Sequence, residues 1–224
     1  MMGKNNLEEM GSFFNQRAEG YDSHMLDELS LTEFYDEIEK CIAKDDGLDK
    51  VLDLGCGTGL EMERIFKLYK DVRVTAIDIS EKMLEKLKQK FEDKILNIEI
   101  VCGSYFDIDF GFNLFDLVVS TYSLHHFSKD EKLVLYKRVY ESLKPGGRFI
   151  NGDNTVKSID KERFYIEENK RIREEQGIKH GLYHIDTPLA VETEIHLLEQ
   201  AGFEKVYIHK QWDNTTIFVC HKGL

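Results

Sequence analysis

Three glycines stand one residue apart at Gly55, Gly57 and Gly59 within "VLDLGCGTGLE", and Asp53 precedes the first of them by two positions. Without a Cβ, such residues permit tight turning and let a ligand approach the backbone closely. A helix-like pattern follows, and the N–H groups at a helix start favour negative charge. A carboxylate at Asp53 would sit awkwardly beside a pyrophosphate and would suit a ligand that carries an ammonium group. Asp78 closes the apolar run "VTAID". An acid at that place accepts hydrogen bonds from ribose hydroxyls, so it points to a nucleoside; the plainer reading is a residue that merely precedes a helix. His125 and His126 in "YSLHHF" titrate near neutrality and are candidates for proton transfer, His126 the better placed of the two. The alternative for either is a structural histidine bonded to a loop carbonyl.

These residues need a frame to hold them. Short β-like runs alternate with longer helical runs. "KVLDLGCG", "VRVTAIDIS", "ILNIEIVCG" and "FDLVVSTYS" read as strands, and "LKPGGRFINGD" as a turn feeding a fifth. Between them "GLEMERIFKLYK", "EKMLEKLKQKF" and "KDEKLVLYKRVYESL" carry apolar residues at helical spacing, the last two opened by Ser80 and Ser128 as caps. Alternation of this kind implies parallel βαβ units in a doubly wound sheet, with ligands beyond the carboxyl ends of the strands. The end differs: "GFEKVYIHKQWDNTTIFVCHK" holds two strand-like runs joined at Asp213-Asn214 and predicts an antiparallel hairpin at the sheet edge. The whole reads as one domain over 1–224. Within it, 1–45 forms an N-terminal helical lid, 46–153 the cofactor-binding core, 154–187 a cap insert, and 188–224 a helix and the C-terminal hairpin.

Composition narrows the function class. A net charge of −12 over 224 residues repels phosphate backbones and anionic lipid, so nucleic acid and membranes are poor partners. The four cysteines show no C-x-x-C pair and no zinc-finger spacing, and read as reduced thiols. With neither a secretory signal nor a long apolar run, the expected setting is cytoplasmic. Mixed charges in "SIDKERFYIEENKRIREEQG" read as a solvated helix with i,i+4 pairs. His180, His184 and His196 are not spaced as a zinc site, Asp186 or Thr187 is expected to start the last helix with Pro188 in its first turn, and no metal centre is expected.

In order and spacing, "VLDLGCGTG", "AIDIS", "FDLVVSTYSLHHF" and "LKPGGRFI" resemble the successive motifs of class I S-adenosylmethionine-dependent methyltransferases. The resemblance covers roughly residues 51–153. It implies a Rossmann-like α/β fold with a seven-stranded sheet of order 3-2-1-4-5-7-6 and a reversed last strand. It also implies S-adenosyl-L-methionine as cofactor and S-adenosyl-L-homocysteine as product. Carried over by position, Gly55 and Gly57 lie along the methionine part, Asp53 holds the amino group directly or through water, Asp78 takes the ribose hydroxyls and Ile79 packs on adenine. Where the family commonly has an acid near the adenine amine, this chain has Ser104 and Tyr105. Ser120 and Tyr122 line the floor near the sulfonium. "RAEGYD" resembles the family's lid segment, placing Tyr21 over the cofactor and Arg17 near its carboxylate. His126 and Tyr21 are then the catalytic candidates.

The reaction implied is methyl transfer to an O, N, S or C nucleophile of a small soluble molecule by in-line displacement; a homodimer is left open. Three rivals stay open. A carboxy-S-adenosylmethionine synthase-like enzyme would need a cation for an extra carboxylate. A non-catalytic cofactor-binding regulatory module would bind without turnover. An NAD oxidoreductase is disfavoured, because Leu60 stands where the last glycine of G-x-G-x-x-G belongs.

Overall fold

The computed structural model describes residues 7–43 and 47–224. Seven strands form one sheet: β1 (Lys50–Leu54), β2 (Arg73–Asp78), β3 (Ile98–Cys102), β4 (Phe115–Thr121), β5 (Leu143–Asn154), β6 (Lys205–Gln211) and β7 (Thr215–His221). Their order across the sheet is β3-β2-β1-β4-β5-β7-β6. β1 through β5 run parallel, and β7 lies antiparallel between β5 and β6. The order and the reversed strand are those the motifs implied.

Helices cover the sheet: α1 (Met10–Arg17), α2 (Tyr21–Ser23), α3 (Thr32–Ile42), α4 (Leu60–Leu68), α5 (Glu81–Lys90), α6 (Lys129–Ser142), α7 (Ile159–Glu175) and α8 (Val191–Gln200). Two apolar cores result, one on each face. Val51, Val74, Leu117 and Ile150 join α3 and α4 on one side; Leu52, Leu54, Val118 and Phe149 join α6 and α8 on the other. Strand side chains alternate in direction, so β1 feeds both cores.

Local chemistry sets the helix ends. Ser80 accepts the Met83 N–H at 3.2 Å, and Ser128 forms a reciprocal capping box with Glu131. Each such cap is worth about 1 kcal/mol. α7 is the solvated helix its charges implied: Arg171 reaches Glu168 at 2.5 Å and Glu175 at 2.6 Å. The last helix departs from expectation. It begins at Val191, not at Asp186 or Thr187, because the buried Glu162 carboxylate of α7 accepts the Ala190 N–H at 2.8 Å and caps it from outside. Pro188 therefore precedes the helix. Thr187 instead donates its N–H to the His125 carbonyl at 2.7 Å, which holds the preceding loop against the turn after β4.

Among the described residues no helix is long and apolar enough to cross a membrane.

Candidate functional site

The turn after β1 is fastened to β2, since the N–H groups of Gly55 and Cys56 both donate to Ile77 O, at 2.8 and 3.1 Å. Gly55 and Gly59 are left-handed, at φ +72° and +82°. A Cβ on Gly55 would collide with Ser123 Oγ, and one on Gly59 would lie 2.7 Å from the Phe91 ring. Gly57 donates its N–H to Asp78 Oδ2 at 2.9 Å, while Asp78 Oδ1 accepts the Ser80 N–H at 2.7 Å. Asp78 thus spends one lone pair of each oxygen on backbone and keeps others for a ligand.

Above this turn lies an inner cleft of about 560 Å³. Of the residues singled out from sequence, Tyr21, Gly55, Gly57, Asp78, Ile79, Ser104, Tyr105 and His126 line it, as does Tyr122. Tyr122 holds a left-handed backbone, φ +47°, unusual for a non-glycine residue and placed where β4 ends. The Tyr105 hydroxyl is engaged with Ser123 Oγ at 3.1 Å, and Ser104 Oγ accepts the Phe106 N–H at 3.2 Å.

Three expected residues are not on that wall. Ser120 turns its hydroxyl into the sheet, donating to Leu54 O at 2.8 Å. Arg17 borders a second, outer cavity; its guanidinium lies 3.4 Å from the Phe13 ring centre and donates to Phe13 O. Asp53 is fully buried beneath the glycine turn, facing Glu61 of α4. Neither oxygen of Asp53 meets a donor other than the proton it shares with the Glu61 carboxyl, which also accepts the Thr121 hydroxyl at 2.8 Å. Burial, then the neighbouring Glu61 charge, push Asp53 well above the usual carboxyl range, and burial raises Glu61 to about 7. The two acids act as a pair that retains a proton.

The outer cavity, about 1690 Å³ and open to solvent, shares Phe14, Tyr21, Tyr122 and His126 with the inner cleft. His125, His184 and Asp186 lie on its wall. Burial works against charge on His125, but the Asp153 carboxylate, 2.5 Å from Nδ1, outweighs it and the pKa rises to about 9. The same carboxylate orients the His125 ring, while the Thr187 N–H holds the backbone of that residue through its carbonyl. His126 moves well below its ordinary value through burial and the adjacent His125 charge. Its Nδ1 lies 3.3 Å from Ile185 O.

The N-terminal elements roof both spaces. Asn15 Oδ1 accepts the Ser80 hydroxyl at 2.8 Å, Thr58 donates to Asp22, and Lys90 bridges Asp22 and Glu63 at 2.6 and 2.9 Å. Sequence reasoning did not assign Glu61, Ser123, Asp153 or Asp186 to the site. Asp153 carried a signal, an acid at the carboxyl end of a strand; Glu61 and Asp186 carried none, since their partners are fixed only by the fold.

Comparison with known proteins follows the same lines. Residues 51–147 match the family model described as "Methyltransferase domain". A carboxy-S-adenosyl-L-methionine synthase of Campylobacter fetus subsp. fetus is 28% identical over 184 residues, covering 77% of each chain. In fold, the chain is similar to a putative O-methyltransferase from Nostoc punctiforme, with a TM-score of 0.71 and 18% identity over 96% of this chain and 62% of that one. It is equally similar to the DhpI–SAH complex, with a TM-score of 0.71 and 18% identity over 95% and 94% of the two chains.

Proposed function

We propose, in line with its match to the methyltransferase family model, that the chain is a class I S-adenosylmethionine-dependent methyltransferase and that it methylates a small molecule held in the outer cavity. The cofactor supplies a methyl group already activated by its sulfonium. What remains for the protein is to align the acceptor and exclude water.

In this reading Gly55 and Gly57 run beside the methionine part, Asp78 takes the ribose hydroxyls and Ile79 packs on the adenine. Ser104 and Tyr105 border the adenine end, and Tyr21 closes over the nucleoside. The Asp53–Glu61 pair acts from beneath the turn, directing negative potential toward the ammonium; Arg17 and Ser120 make no direct contact. His126 borders both spaces and is the side chain that meets the acceptor, as a neutral imidazole able to take a proton. The observation that carries the reading is the buried Asp53 carboxyl, with no donor but the proton shared with Glu61, under a glycine turn that also engages Asp78. With four free cysteines, a reducing cytoplasmic setting belongs to the same proposal.

A second reading follows the name of the Campylobacter relative, synthesis of a carboxylated cofactor. It calls for a cation at the reacting end. Among the described residues lining the inner cleft there is no lysine or arginine, which favours methyl transfer. Mass spectrometry of co-purified nucleoside separates the two.

Calorimetry tests the cofactor assignment. S-adenosylmethionine and its demethylated product should bind and NADH should not. Asp78→Asn should weaken binding by about 10- to 100-fold, the worth of hydrogen bonds to a charged group. Equal affinity in that variant would count against the site.

A further inference from the structure

Two segments far apart in the chain bring three potential ligands together on the wall of the outer cavity. His125 and His126 come from the turn after β4, and Asp186 from the loop before α8. One Asp186 oxygen lies 3.4 Å from His125 Nε2 and 3.4 Å from His126 Nδ1, and all three ligand atoms fall within 4.8 Å of one another.

A charge-assisted hydrogen bond would be shorter, about 2.7–2.9 Å. Two ligands each about 2.0–2.1 Å from a zinc ion, at the tetrahedral angle, stand about 3.4 Å apart. For His125 the supporting groups agree with that geometry; His126 Nδ1 also lies 3.3 Å from Ile185 O, a long hydrogen bond that a bound ion would replace. His125 gives its Nδ1–H to Asp153, which turns Nε2 toward Asp186; a metal ion binding there takes the place of the Nε2 proton. Asp153 is itself fixed by the N–H groups of Leu124 and Asn154, at 2.9 and 2.8 Å. A carboxylate behind the ligating imidazole is the usual means of setting its tautomer.

We propose that His125, His126 and Asp186 form a binding site for a divalent transition metal ion of the zinc and cobalt class. Two imidazoles and one carboxylate leave coordination positions open, and these face the outer cavity. The sequence showed no such constellation because Asp186 is brought in by the Thr187–His125 backbone bond.

A consequence for the acceptor rests on the methyl-transfer reading; the metal site does not. His126 also lines the inner cleft, so an acceptor oxygen on the ion would lie at the junction of the two spaces. The acceptor would then be a hydroxyl compound whose acidity the ion raises. Its proton leaves to water, its oxygen bonds the methyl carbon, and the sulfur keeps the electron pair of the broken C–S bond as a neutral thioether. His126 then serves as ligand instead of proton acceptor.

The test uses untagged full-length protein stripped with chelator, titrated with Co²⁺ by visible absorption and with Zn²⁺ by calorimetry. One saturable equivalent with cobalt d–d bands is expected. Asp186→Asn, a half-exposed position, should lower affinity at least about 10-fold, and Asp153→Asn about 10-fold as a positioning change. Binding of S-adenosylmethionine by each sample reports that the fold is intact. No saturable equivalent, or an unchanged spectrum and affinity in both Asp186→Asn and His125→Gln, overturns the site. Cofactor binding that persists without metal binding removes this inference alone; metal binding without cofactor binding removes the methyl-transfer reading alone.

Discussion

At the scale of single residues, the acid pair under the glycine turn has the clearest consequence. In the free protein Asp53 and Glu61 retain a proton, with Glu61 near 7. A ligand ammonium favours the deprotonated pair, so binding below pH 7 releases a proton. Affinity for S-adenosylmethionine should therefore rise with pH, by up to about tenfold per unit, and level off above 7. Calorimetry at pH 6 in buffers of different ionisation heat measures the release, and Glu61→Gln should abolish most of it; no release in the parent protein would refute the pairing. Folding follows the opposite sign. A carboxyl raised from 4.5 to about 7 holds its proton more tightly when folded, so its stabilising effect is present at low pH and is lost as pH rises through 7. Asp53 was legible as a special acid from its place before the glycines. Its burial was not, because only the path of β1 beneath α4 decides which way it turns.

At the scale of elements, the core strands and helices were readable because their apolar spacing repeats, and the hairpin because no helix intervenes before β7. The start of α8 was not, since its cap is Glu162, almost thirty residues upstream. The N-terminal helices dock by shape. Gly152 of β5 leaves room for α3: a Cβ there would fall 2.5 Å from Phe34 Cζ and 3.1 Å from Ile38 Cδ1. Gly152→Ala should destabilise the protein by about 1–3 kcal/mol through overpacking, measured by urea unfolding. An unchanged midpoint would mean that α3 yields easily and does not form a fixed part of the roof.

At the scale of the molecule, the net charge of −12 acts on the two nucleosides differently. S-adenosylmethionine carries one net positive charge and its product none, because the sulfonium has become a thioether. The acidic field should speed capture of the first and leave the second unaffected. Raising salt should slow association of S-adenosylmethionine by up to about tenfold and change that of the product little, as stopped-flow fluorescence can measure. Parallel salt dependence for both would show that the field does not steer capture. Composition gave this charge, and it also disfavoured nucleic acid; the acceptor was not legible, because the outer cavity joins α1, the turn after β4 and the loop before α8.

Between its buried anchors Met10 and Met25, the edge of the roof is held by polar contacts, Asn15 to Ser80, Glu19 to Lys86 and Asp22 to Thr58 and Lys90, so that stretch can act as a door. Such a door imposes an order of traffic. The nucleoside must board before the acceptor closes the way behind it, and must disembark last. Steady-state kinetics should accordingly show the demethylated product competing with S-adenosylmethionine and not with the acceptor.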